Sequence, residues 1–136
     1  MMTENSNETA RLIIGCGFLG ERVAQRWLGS GSTVFATTRN TTKAKQFAKA
    51  NIQPIIGDVT TSSGSPNCFR KLPAVDTVLW SVGFDRNAHA DYYDVHVTGL
   101  LRVLDQLPNN PRVIFISSTG IWGTETAEEV DESTPA

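Results

Sequence analysis

Apolar residues along this chain fall into short unbroken runs, separated by stretches where they recur every third or fourth position. Leu12-Ile13-Ile14 is the first run, and Phe18, Leu19, Val23, Trp27 and Leu28 follow at helical spacing. That order predicts a buried strand and then an amphipathic helix, which Gly29-Ser30-Gly31 stops. Ser32 to Thr37 is β-branched and aromatic and predicts a second strand. Thr41 to Ala50 reads as a short helix capped by Thr41 or Thr42, with Lys43, Lys45 and Lys49 facing water. A third, short strand lies within Pro54 to Val59, and a polar loop runs from Thr60 to Pro66. The apolar pattern resumes at Phe69 and Leu72. Asp76 to Ser81 predicts a fourth strand. Tyr92 to Leu107 predicts a long helix on Val95, Leu100, Leu101, Leu104 and Leu107, ended by Pro108. Pro111 to Ile116 predicts a fifth buried strand. Strands alternating with helices imply an α/β fold, a doubly wound parallel sheet with helices on both faces. The expected strand order is 3-2-1-4-5, with a ligand at the carboxyl ends of strands 1 and 4.

Three glycines join the first strand to the first helix: Gly15, Gly17 and Gly20, spaced G-x-G-x-x-G. Between a strand and a helix this spacing is the dinucleotide-binding fingerprint of a Rossmann-like fold. The first glycine permits the tight turn, the second lets the backbone approach a pyrophosphate, and the third lets helix and strand pack closely. Helix N–H groups and the helix dipole attract the phosphates, so Gly15, Gly17, Phe18, Leu19 and Gly20 are candidate contacts. An ordinary strand-to-helix turn is the alternative. A site that prefers NAD places Asp or Glu after the second strand to take the ribose 2′-OH. Here Thr37-Thr38-Arg39-Asn40 stands in that place, and Arg39 could pair with a 2′-phosphate through charge-assisted hydrogen bonds. NADP(H) is therefore expected over NAD(H), with Thr38 and Arg39 as contacts. The bland reading of Arg39 is a solvated surface arginine. Asp58-Val59, ending the third strand, lies where an adenine rests in this fold, and an Asp capping the next turn is the equal alternative. The fourth strand runs into Val82-Gly83-Phe84, where Gly83 allows a ligand close approach to the backbone.

The chain has 136 residues, 40% hydrophobic and 19% charged, with a formal net charge of -2. These figures fit one soluble domain with a single core. The near balance of charge gives no case for nucleic acid or an anionic membrane. No apolar stretch approaches the roughly 20 residues of a membrane helix. Residues 1–10 are polar, without the features of a secretion signal, and read as a disordered lead-in to a cytoplasmic domain. Cys16 and Cys68 read as reduced thiols, with a catalytic Cys16 as the minor alternative. His89 and His96 lack partners at metal-ligand spacing, so no metal is expected.

Several motifs together resemble the short-chain dehydrogenase/reductase superfamily, in the extended or atypical branch that includes NAD(P)-dependent epimerases and dehydratases. They are the glycine loop GCGFLG, Asp58-Val59, the segment SVGF, the helix DVHVTGLLRVLDQL and the segment ISSTGIWG. The resemblance runs from Arg11 to Pro135. It implies adenine contacts at Asp58-Val59, nicotinamide-ribose contacts at Ser81, Val82 and Gly83, and a catalytic Ser/Thr at Ser118. His96 stands where that family has Asn, and Trp122 where it has Tyr. The family's general acid is a Tyr followed four residues later by a Lys. Tyr92 is followed at that distance by His96 and Tyr93 by Val97, so neither fits. The resemblance therefore implies that residues 11–136 are the NAD(P)-binding part of such an oxidoreductase or epimerase, incomplete on the C-terminal side and inactive alone. The alternatives are a non-catalytic NADP(H)-sensing regulatory domain and a plain structural domain. Its substrate is a small molecule in the complete enzyme. The fifth strand, lacking the family's next strand, is expected to pair with a second copy as a homodimer.

Overall fold

The structure is a computed structural model that describes residues 8–61, 65, 68–69, 71–83, 87, 89–117 and 129–135. Five parallel strands form one sheet: β1 (Ala10–Ile14), β2 (Thr33–Thr38), β3 (Gln53–Ile56), β4 (Thr77–Trp80) and β5 (Arg112–Phe115). Their spatial order is β3-β2-β1-β4-β5, as the alternating pattern predicts. β1 lies at the centre, with Leu12 opposite Phe35 on β2 and opposite Val78 on β4. Trp80 on β4 is in turn opposite Phe115 on β5. β1 begins at Ala10, two residues before the apolar run that predicted it, and Thr33 N–H donates to the Thr9 carbonyl.

Successive side chains of a strand point to opposite faces, so a central strand must be apolar on both. Leu12, Ile13 and Ile14 are all fully buried, and they divide between two cores. Ile13 joins Val34, Ala36 and Leu79 beneath α1 (Phe18–Gly29) and α2 (Thr41–Lys49), with Ala24 and Phe47 reaching down from the helices. Leu12 and Ile14 join Val78 and Trp80 on the other face, covered by Val103 and by Phe69, Leu72 and Val75 from the non-helical chain ahead of β4. One cap differs from expectation. Asn40, not Thr41 or Thr42, begins α2: its Oδ1 accepts from Thr42 N–H at 2.8 Å and Lys43 N–H at 3.1 Å. Asn40 has extended backbone angles, which hold the short amide over the first turn.

The long helix expected over Tyr92 to Leu107 is a π-helical stretch, Asp94–Gly99, that runs directly into α3, Leu100–Gln106. Its buried residues are Val95, Gly99 and Val103, whereas Leu101 and Leu104 are exposed. Val95, Gly99 and Val103 recur every fourth position, so the buried stripe runs through these smaller residues and leaves Leu101 and Leu104 on the other side. Gly99 is where the helix meets the segment after β3: a Cβ there would lie 3.1 Å from the Val59 carbonyl oxygen. Arg102 Nη1 donates to that same oxygen at 2.7 Å. At the sheet's outer edge, Ile114 of β5 is half-buried while Val113, Phe115 and Ile116 are each about two-fifths exposed.

Candidate functional site

All five strands are parallel, so their carboxyl ends open on one side of the sheet. There a cleft of about 770 Å³ lies between the glycine loop, the end of β2, the segment after β3 and the segment after β4. The glycine loop contributes Gly15, Gly17 and Phe18, and the end of β2 contributes Thr38 and Arg39. Asp58 and Val59 line it from the segment after β3, and Ser81, Val82 and Gly83 from the segment after β4. Leu19 and Gly20 do not line it. Gly20 is buried instead against β1, where a Cβ would sit 3.1 Å from Ile13 Cγ2. Ser118 and Trp122 lie outside the described residues.

The loop is held by the strands on either side of β1. Gly15 N–H donates to Thr37 Oγ1 at 3.2 Å, and Ser81 Oγ donates to the Gly15 carbonyl at 2.7 Å. Gly15 has φ +80, and a Cβ on it would come within 2.6 Å of Val82 Cα. Gly17 is the opposite case. It has φ -94, stands at the N-cap of α1, and a Cβ on it would meet nothing within 4 Å. The first turn of α1 thus presents its N–H groups beside open space, which is the shape and charge that a pyrophosphate needs.

Asp58 fixes a turn and lines the cleft. Oδ1 accepts from Thr60 N–H at 2.9 Å and from Thr60 Oγ1 at 2.7 Å, fixing the turn, while the residue lines the cleft. Its Oδ2 is 3.9 Å from Arg39 Nη1, and the Arg39 side chain is 61% exposed. Arg39 is accordingly solvated and at the cleft wall together. Cys16 also lines the cleft, but burial pushes its thiol up to about 11, with Glu21 adding to the rise and Lys43 opposing it. At neutral pH it stays protonated and is no nucleophile.

Sequence reasoning missed three features. Thr37 supports the loop, a role visible only in the β1–β2 register. Lys43, expected on a solvated face, lines the cleft, because the third residue of α2 lies over the end of β2. His96 packs on Tyr92 and Phe115, with ring centroids 4.4 and 6.4 Å away. Burial lowers its pKa, and its Nδ1 has no hydrogen-bond partner among the described residues. Nothing but the departure from the family's Asn marked it in the sequence.

The sequence model of the NAD dependent epimerase/dehydratase family matches residues 12–136. The chain belongs to that family. Membership brings a nicotinamide dinucleotide as cofactor, and the open cradle at Gly17 fits one. Two solved structures share the fold. One is a point variant of a protein titled SsCR, with a TM-score of 0.62 and 18% identity over 82% of this chain and 38% of that one. The other is a protein from Lactobacillus casei, with a TM-score of 0.59 and 17% identity over 79% of this chain and 47% of that one. The chain thus spans less than half the length of either. No curated protein matches it. Among the described residues, no helix is long and apolar enough to cross a membrane, and no three metal-ligating side chains converge.

Proposed function

We propose that this chain is the NADP(H)-binding portion of an oxidoreductase or epimerase of the epimerase/dehydratase family. The observation that carries the reading is Arg39 at the cleft wall, where β2 ends without a carboxylate to take a ribose 2′-OH. Gly17 and the first turn of α1 would hold the pyrophosphate, Asp58 and Val59 the adenine, and Ser81 to Gly83 the nicotinamide ribose. The bound nicotinamide supplies hydride transfer. Calorimetric titration is expected to give tighter binding of NADPH than NADH, and Arg39→Ala is expected to weaken NADPH by about tenfold while sparing NADH. Preference for NADH, or full NADPH affinity in the variant, overturns the reading.

Neither Tyr92 nor Tyr93 is followed four residues later by Lys, so the same reading assigns this chain binding without turnover. Ser118 would hydrogen-bond a substrate oxygen once a proton donor stands beside it. The exposed apolar side chains of β5, on the edge of the sheet, favour pairing with a second copy. Light scattering on the purified chain should report a dimer, and a monomer at high concentration removes that part.

A further inference from the structure

We infer that Arg102 is a positioning residue for the adenine end of the cleft: from α3 it fixes the carboxylate of Asp58 by way of the peptide between Val59 and Thr60. The inference rests on the reading above, in which Asp58 and Val59 hold the adenine, and adds to it a residue that never touches the cofactor.

Arg102 does not line the cleft, whereas Asp58, Val59 and Thr60 do. Its Nη1 donates to the Val59 carbonyl at 2.7 Å. The N–H of that same peptide belongs to Thr60, and it donates to Asp58 Oδ1 at 2.9 Å. One planar group thus joins the guanidinium on one side to the carboxylate on the other. A cation donating to the carbonyl polarises the peptide and makes its N–H a stronger donor, so the two bonds reinforce each other. Among the described residues no carboxylate pairs with Arg102, and the Val59 carbonyl is the acceptor that its charge meets. Gly99, three residues earlier, lets the helix come this near: a Cβ there would lie 3.1 Å from the Val59 oxygen and 3.3 Å from Val59 Cβ.

The rest of the segment is held from elsewhere. Gly57 N–H donates to the Thr38 carbonyl on β2 at 3.0 Å, and Thr61 N–H donates to the Asp58 carbonyl at 3.2 Å. Neither bond reaches the Asp58 side chain. Both donors to Oδ1 come from Thr60, the hydroxyl at 2.7 Å and the amide N–H. The hydroxyl can turn with its side chain, whereas the N–H points where the peptide points, and Arg102 sets the peptide. With Oδ1 so engaged, Oδ2 is left to accept from the exocyclic amino group of adenine. Its contact with Arg39 Nη1, at 3.9 Å, is too long for a hydrogen bond. Removing Arg102 frees the peptide to rotate, so the carboxylate loses its aim and keeps its charge. The effect should therefore fall on recognition of the base more than on binding as a whole.

The test compares NADPH with its hypoxanthine analogue, in which an oxo group replaces the amino group, by calorimetry on the full chain. The unaltered protein should bind NADPH about tenfold tighter, because the oxo group would face a carboxylate. Asp58→Asn should bring the ratio of the two dissociation constants to about one, since an amide can serve either base. Arg102→Met keeps the aliphatic stem and should lower the ratio by about threefold. Arg102→Lys, which can still donate to the carbonyl, should keep most of it. Gly99→Ala presses on the same carbonyl from the preceding turn and should lower the ratio as well. Circular dichroism and melting of each variant show that the fold is kept. A ratio unmoved by Arg102→Met and Gly99→Ala, with Asp58→Asn effective, overturns this inference and spares the cofactor reading. Equal weakening of both dinucleotides in Arg102→Met means that Arg102 merely supports the wall, and overturns it too. No preference between the bases in the unaltered chain overturns the placing of adenine at Asp58, and this inference with it.

Discussion

Replacing Gly17 with valine is expected to abolish cofactor binding while leaving the protein folded. The free protein has room for the side chain: φ is -94, and a Cβ would meet nothing within 4 Å. The cost to stability is about 1 kcal/mol, since valine is a poorer helix N-cap than glycine. The open space beside that Cβ is nevertheless where a pyrophosphate would approach the first-turn N–H groups of α1. A branched side chain would fill it and hold the phosphates off the donors, weakening NADPH by at least about a hundredfold. Calorimetry reads the affinity, and far-UV circular dichroism with a melting curve reads the fold. A folded Gly17→Val protein with normal affinity would mean that the cofactor does not pass over this loop.

Two residues earlier, the same kind of change should act on the fold instead. Gly15 has φ +80, which costs an L-residue about 1–2 kcal/mol. A Cβ there would lie 2.6 Å from Val82 Cα, 2.7 Å from Val82 N and 2.9 Å from the Ser81 carbonyl carbon. These are backbone atoms on the neighbouring chain segment and cannot rotate away. The segment after β4 must move outward, loosening the Ser81 hydroxyl from the Gly15 carbonyl, for roughly another 1–3 kcal/mol. Gly15→Ala should therefore lose about 2–5 kcal/mol, a large share of the stability of a small domain. Urea denaturation followed by tryptophan fluorescence measures the loss. A midpoint equal to that of the unaltered protein would contradict the close packing of loop and β4.

The two glycines also show what could be read from the residues alone. Period and punctuation carried the five strands and their order, because a buried parallel strand such as Leu12-Ile13-Ile14 must be apolar on both faces. The G-x-G-x-x-G spacing located the loop, but not the division of labour within it. That division depends on how near Val82 comes, a consequence of the β1–β4 register. Thr37 was hidden for the same reason, as its bond to Gly15 crosses two strands. Lys43 was hidden because a lysine among lysines has a helical phase but no visible neighbour. The misjudged leucines at 101 and 104 have a different cause. The buried stripe passes through Val95, Gly99 and Val103, and Gly99 carries no apolar side chain to mark it, so the larger leucines beside it drew the reading.

The central claim is that a nicotinamide dinucleotide lies across the carboxyl ends of the strands, from Asp58 over Gly17 to Gly83. Amide chemical shifts of the nitrogen-15-labelled chain, followed as NADPH is added, test it most directly. The account predicts saturable shifts at Gly15, Gly17, Phe18, Arg39, Asp58 and Gly83, with the opposite ends of the strands, such as Gln53 and Thr77, unmoved. Saturable shifts centred on those opposite ends, or none anywhere up to millimolar NADPH, would contradict it.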